Sequence, residues 1–141
     1  MLLFLFEAVR FGKAQSDGVH ERVRLQGVKQ LADITITPNL SQALEELRRR
    51  LEAQFDIEAV ILYGSLARGE ADGESDQDVL ILTAQPLARP LRHKITDIVF
   101  EINLHRGTNI SSLVVDRNSW ETGLVSVLPI HDEILKDGIK L

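Results

Sequence analysis

Two aspartates spaced as Asp76-Gln77-Asp78, opening the apolar run Val79-Leu80-Ile81-Leu82, are the pair in this 141-residue chain best suited to chemistry. Side chains of an extended strand alternate between faces, so carboxylates at i and i+2 leave the same side a few ångströms apart. Held that close, they repel unless a proton or a cation intervenes. Hard oxygen donors of this kind suit Mg²⁺, which takes one or two carboxylates together with waters and substrate phosphate oxygens. Asp76 and Asp78 are therefore the candidate metal ligands. The competing reading is a solvated acidic turn at a strand start, because Glu70, Asp72 and Glu74 stand just upstream.

A second cluster lies shortly before them. The run Val60-Ile61-Leu62-Tyr63 passes directly into Gly64-Ser65-Leu66-Ala67-Arg68-Gly69. A glycine at the end of a strand lets backbone N–H groups come close to a ligand, and a helix starting there would add its positive end to a phosphate site. Ser65 offers a hydroxyl and Arg68 a cationic fork for the same anion. Gly64, Ser65 and Arg68 are thus candidate phosphate-binding residues. The alternative is a strand-to-helix turn in which Ser65 caps the helix and Arg68 pairs with Glu70 or Asp72.

Other motifs drop out on inspection. There is no Gly-x-x-x-x-Gly-Lys and no Gly-x-Gly-x-x-Gly. Asp72, Glu74 and Asp76 have the spacing of a calcium loop, but Gln77 stands where its glycine belongs and Thr83 where its bidentate Glu belongs. His20, His93, His105 and His131 show no ligand spacing. Trp120 reads as a core plug rather than a base-stacking platform.

The elements that must hold these residues follow from periodicity. Leu40, Leu44, Leu47 and Leu51 recur at three- and four-residue steps behind Thr37-Pro38, which predicts an amphipathic helix over 38–54. Glu45 with Arg49 and Glu46 with Arg50 are i,i+4 pairs, so Arg48-Arg49-Arg50 reads as a solvated helix face rather than an RNA-binding patch. Strands are expected at 58–63 and 78–83. Leu91, Ile95, Ile98, Val99 and Ile102 mark a second helix stopped by Gly107, and a third strand spans 110–115. Asn118 with Glu121 suggests a capping box for a short helix, and Pro129 opens a last helix ending near Gly138. This order makes an α/β fold with a helix-backed sheet. Residues 1–36 read as an irregular lead-in, with a short helix near 19–25, and 37–141 as the domain.

Composition limits the function classes. With 44% hydrophobic residues over this length, a single real core is expected. A formal charge of −5 argues against direct nucleic-acid binding, which usually needs a basic face. The absence of cysteine removes disulfide frameworks, thiolate zinc sites and Cys nucleophiles, and fits a reducing compartment, so a cytoplasmic location is expected. The opening Met1–Phe6 run is too short to span a bilayer and lacks the basic start of a signal peptide.

Taken in order, Leu62-Tyr63-Gly64-Ser65-Leu66-Ala67-Arg68-Gly69, a spacer of ten residues between Ser65 and Asp76, and Ser75-Asp76-Gln77-Asp78-Val79 resemble the signature of the minimal nucleotidyltransferase domain of the polymerase-beta-like superfamily. That resemblance implies a small mixed sheet backed by helices. It implies that Gly64 and Ser65 hold a nucleoside triphosphate, ATP by expectation, and that Asp76 and Asp78 bind Mg²⁺, or Mn²⁺ in its place. A hydroxyl then attacks the α-phosphate and pyrophosphate leaves. Small members resemble the antitoxins of two-gene toxin–antitoxin pairs, whose partner is a HEPN-type toxin modified on a tyrosine. A chain of this length leaves little room for a separate acceptor-binding domain, which favours a protein acceptor.

The sequence departs from the family pattern twice. The residue between the aspartates, usually apolar, is Gln77. The third carboxylate expected on the next core strand is missing from Asn109-Ile110-Ser111-Ser112-Leu113-Val114-Val115, where Ser111 or Ser112 stands in its place. Asp116 and Glu101 could substitute only in a different register. The main expectation is an Mg²⁺-dependent transferase acting on a partner toxin. The alternative is a catalytically impaired module of the same fold that binds and neutralises a partner protein.

Overall fold

The structure is a computed structural model and describes residues 25, 27–31, 34–70 and 75–141. The short helix expected near 19–25, except Leu25 itself, and the acidic residues Asp72 and Glu74 lie outside them.

Helix α1 spans Pro38–Gln54, as its leucine period requires. Thr37 caps it, its Oγ accepting from the Leu40 N–H at 3.2 Å, and Pro38 loses no bond by lacking an N–H in the first turn. Leu44, Leu47 and Leu51 are fully buried. Each contributes on the order of 1.5–3 kcal/mol relative to an exposed position. Helix α2, Arg89–Arg106, buries Ile95, Ile98, Val99 and Ile102 beside them and ends at Gly107 in the left-handed region, φ 65°.

Strands β2 (Ile57–Tyr63) and β3 (Gln77–Thr83) pair antiparallel, and β4 (Ile110–Asp116) joins β3 in parallel through the α2 crossover. A parallel neighbour requires such a long connection, whereas β2 and β3 need only a turn. Beyond β4 come α3 (Arg117–Glu121), a 3₁₀ turn at Leu124–Val127 and α4 (Pro129–Asp137). Two short strands complete a five-stranded mixed sheet: β5 (Ile139–Lys140) pairs antiparallel with β2, and β1 (Lys29–Gln30) pairs parallel with β5. The α/β fold class expected from the sequence is the one observed.

The sheet is covered on both faces. Helices α1 and α2 bury one face with Val60, Leu62, Val79 and Ile81, while Ala59, Ile61, Leu80 and Leu82 pack on the other against Trp120 and Ile134. That is why β2 and β3 are apolar at successive positions instead of alternating. Trp120 is 1% exposed, a core plug as its surroundings in sequence suggest.

Three local expectations are corrected. The cap of α3 is Asp116, whose carboxylate accepts from the Ser119 N–H at 3.0 Å, so Asn118 lies inside the helix and forms no box with Glu121. Glu45 pairs with Arg48 rather than Arg49, at 2.6 Å, and Arg48 also reaches Glu52 one turn on. Part of the presumed lead-in joins the sheet at Lys29–Gln30, and Leu31, Ile34 and Ile36 pack against the helix-side core.

The arginine run is accounted for structurally. Arg50 bonds Glu46 on its own helix and Glu101 on α2, and Arg106 of α2 returns to Glu46 at 2.9 Å. The Arg106 bond comes first among the causes that hold the Glu46 carboxyl below its ordinary pKa.

Candidate active site

Asp78 is the second residue of β3, flanked across the sheet by Tyr63 on β2 and Ser111 on β4. Paired residues share a face, so all three side chains leave the sheet on the α3–α4 side, at the end where β3 begins. Asp76 stands two residues earlier, just ahead of the strand, near enough for its charge to act on Asp78 and more exposed. Burial pushes the Asp78 carboxyl above its ordinary pKa, and the Asp76 charge adds to that shift. Tyr63 is pushed up as well, first by burial and then by the charges of Asp78 and of Glu133 on α4.

Gly64 ends β2 beside this pair with φ 82°, a conformation that side chains rarely tolerate. A Cβ there would sit 2.6 Å from Asp78 Oδ2, so the glycine is what leaves room for the carboxylate. Residues 65–69 then form a turn, not the start of a helix. The N–H groups of Arg68, Gly69 and Glu70 bond back to Gly64, Leu66 and Ser65. Those of Ser65, Leu66 and Ala67 have no acceptor among the described residues. Ala67 is buried and Leu66 half-buried against the helix-side core, which pins the turn while Ser65 stays at its mouth. Consecutive N–H groups with no internal partner make a concavity suited to an anion. Arg68 donates from Nε to Glu70 Oε1 at 3.1 Å, which is the pairing its alternative reading foresaw.

The structure decides between the two serines at the place of the missing acid. Ser111 is opposite Asp78, whereas Ser112 is opposite Val79 and faces the α1–α2 side. Asp116 pairs with Thr83 at the other end of β3, and its carboxylate is held by Ser119. Glu101 is bound to Arg50. Neither can complete the site, and among the described residues no third His, Cys, Asp or Glu groups with the two aspartates for a metal.

The donor set still fits a hard divalent cation. Burial first, and then the charge of Asp76, raise the proton affinity of the inner carboxylate Asp78, and a cation would relieve the repulsion between the two. Asp76 and Asp78 would hold it.

Asn109 escapes the sequence reading, and Gln77 appears there only as a departure from the family pattern. Asn109, just before β4, donates from Nδ2 to Asp76 Oδ1 at 2.5 Å. Gln77 bonds at both ends of its amide, accepting from the Asn109 N–H and donating to the Ser75 carbonyl, each at 2.9 Å. Nothing local in the sequence marks Asn109, because only the β3–β4 register brings it to Asp76.

Residues 40–137 match the family model of the nucleotidyltransferase domain. A protein of Methanocaldococcus jannaschii named "putative protein adenylyltransferase" is 36% identical over 100 residues, 68% of this chain and 67% of that one. Among solved structures, a toxin–antitoxin crystal structure with AMP-PNP superimposes with a TM-score of 0.49 at 15% identity, covering 74% of this chain and 72% of its own. A MntA-HpeT toxin–antitoxin mutant gives 0.47 at 17% identity, again covering 74% and 72%. At those values the likeness carries no inference about ligand or partner.

Proposed function

We propose a reaction from one premise: this chain belongs to the nucleotidyltransferase domain family. It moves a nucleoside monophosphate from a nucleoside triphosphate, ATP in this reading, to a hydroxyl on a partner protein. The observation that carries the reading is the packing of Asp78 against the Gly64 turn, where the missing Cβ leaves Asp78 Oδ2 room, with the charge of Asp76 close enough to act on Asp78. The name of the M. jannaschii relative supports adenylyl transfer to protein. The acceptor we favour, from the resemblance of the motifs, is a HEPN-type toxin.

The residues take separate parts. The N–H groups of Ser65, Leu66 and Ala67, which have no acceptor among the described residues, and the Ser65 hydroxyl cradle the triphosphate, as backbone donors do for anions elsewhere. Arg68 contacts the outer phosphates once it leaves Glu70. Asp76 and Asp78 hold Mg²⁺, or Mn²⁺ in its place. When bound, such an ion neutralises charge developing on the phosphoryl oxygens and lowers the pKa of an attacking hydroxyl. The acceptor oxygen, its proton released to solvent, attacks the α-phosphorus, the bond to the bridging oxygen breaks, and pyrophosphate departs.

A second reading rests on Ser111. With a hydroxyl in place of a carboxylate opposite Asp78, a module that binds nucleotide and partner without efficient transfer is the alternative. Incubation with Mg²⁺, each triphosphate in turn and the product of the adjacent gene, followed by intact-mass analysis, tests both. One added nucleotide on the partner, lost with Asp76→Asn, supports transfer, and a tight unmodified complex supports the module. The absence of both complex and modification would remove the partner-based proposal.

A further inference from the structure

We propose that Asn109 is a positioning residue, held by Gln77, that restricts Asp76 to offering a single carboxylate oxygen to a divalent cation. This rests on the metal-site reading of Asp76 and Asp78 given above. Asn109 Nδ2 occupies Asp76 Oδ1 and leaves Oδ2 as the oxygen to coordinate. Both residues are exposed, and an isolated amide–carboxylate contact in water would exchange readily with solvent.

What holds this contact is the backbone on either side of it. The Gln77 side chain ties the Asn109 N–H to the Ser75 carbonyl, and the Gln77 N–H donates to the Asn109 carbonyl at 3.0 Å. The Asn109 backbone is thus gripped at both its polar groups by one residue, and that residue lies between the two aspartates. From the other side, Asn103 of α2 accepts from the Ile110 N–H at 2.8 Å and donates to the Ile110 carbonyl at 2.9 Å. The same Asn103 Oδ1 accepts from Thr108 Oγ at 2.9 Å. The segment between α2 and β4 therefore has its chain direction set on both flanks of Asn109. The polar residue between the aspartates has a use that an apolar one could not supply, since its amide both accepts from Asn109 and donates to Ser75. Partners that orient a ligating carboxylate typically change metal affinity by 10–100-fold when removed.

The test is Mn²⁺ binding by the full chain, followed by electron paramagnetic resonance with a non-hydrolysable α,β-methylene ATP analogue present, so that no turnover is needed. Asn109→Ala should weaken Mn²⁺ binding about tenfold. Gln77→Leu should weaken it similarly, and the double variant no more than either alone. In an Asp76→Asn background, Asn109→Ala should change nothing further, because it acts only through Asp76. Wild-type affinity in both Asn109→Ala and Gln77→Leu, with Asp76→Asn impaired, would overturn the clamp and leave the metal site standing. An undiminished effect of Asn109→Ala in the Asp76→Asn background would show a merely structural role and also overturn it. Wild-type affinity in Asp76→Asn, or no Mn²⁺ binding by the wild type, would remove the metal-site reading and the clamp together.

Discussion

Ser111 on β4 is the parallel-register partner of Asp78 on β3, on the same face of the sheet. A carboxylate at that position would join Asp76 and Asp78 from the neighbouring strand. Ser111→Asp should therefore raise the rate of nucleotidyl transfer at least tenfold at fixed Mg²⁺. Without metal it should lower the melting temperature, since three carboxylates in one place repel. Single-turnover assays with labelled triphosphate, paired with thermal unfolding with and without Mn²⁺, measure both. A rate equal to or below that of the wild type would show that Ser111 is not the limiting position.

Triphosphate with Mg²⁺ or Mn²⁺ should raise the melting temperature of the wild type, because a ligand that binds only the native state stabilises it, by roughly 2.7 kcal/mol at a hundred times its Kd. Asp76→Asn combined with Asp78→Asn should abolish the metal-dependent part of that rise. Equal shifts in variant and wild type would place the cation elsewhere.

Gly64→Ala puts a Cβ 2.6 Å from Asp78 Oδ2 at a φ of 82°. The left-handed conformation alone costs about 1–2 kcal/mol for a residue with a Cβ. Destabilisation of at least that size is expected in urea titrations, with weaker triphosphate binding. Ser65→Ala, by contrast, should unfold like the wild type and lose only affinity. Unchanged affinity in that folded variant would count against a phosphate role for the hydroxyl.

Arg68 and Glu70 form an ion pair that a triphosphate must break. Glu70→Gln should release the guanidinium and tighten triphosphate binding several-fold, whereas Arg68→Ala should weaken it. Both effects should shrink as salt is raised, since exposed charges are screened. Isothermal titration at two ionic strengths checks this, and weaker binding by Glu70→Gln would point to a role for the acid itself.

Burial acts to raise the Asp116 carboxyl, but the Ser119 N–H and hydroxyl outweigh it and leave the pKa below the ordinary value. A carboxyl depressed in the native state stabilises the fold fully above its unfolded value of about 3.9, and that contribution fades as pH falls through the depressed one. Asp116→Ala should cost about 1 kcal/mol at neutral pH by loss of the helix cap. The gap to wild type should narrow in strongly acid solution. Urea titrations at both pH values measure it, and a gap that stays constant would mean the carboxylate's charge contributes nothing.

The long elements were legible in the sequence because each carries enough residues to show its period. Helix 38–54 has four leucines on one face with Thr37 and Pro38 before it, and β2 and β3 are apolar runs bounded by glycine and by acids. Asp76-Gln77-Asp78 and Gly64-Ser65 stood out for the same reason, since their spacing is local and their geometry follows from strand alternation. Strands β1 and β5 have two residues each, too few for any period, and form only by pairing, β5 on the edge of β2 and β1 in turn on β5. The turn after Gly64 could have been a helix by its residues, and the burial of Ala67 with the return bonds to Gly64 and Ser65 made it a turn. Whether Ser111 or Ser112 faces Asp78 is a question of register between strands thirty residues apart in sequence. So is the meeting of Asn109 with Asp76. Hydrogen bonding across β3 and β4 settles both, because a shift of one residue would have turned every side chain of β4 to the opposite face.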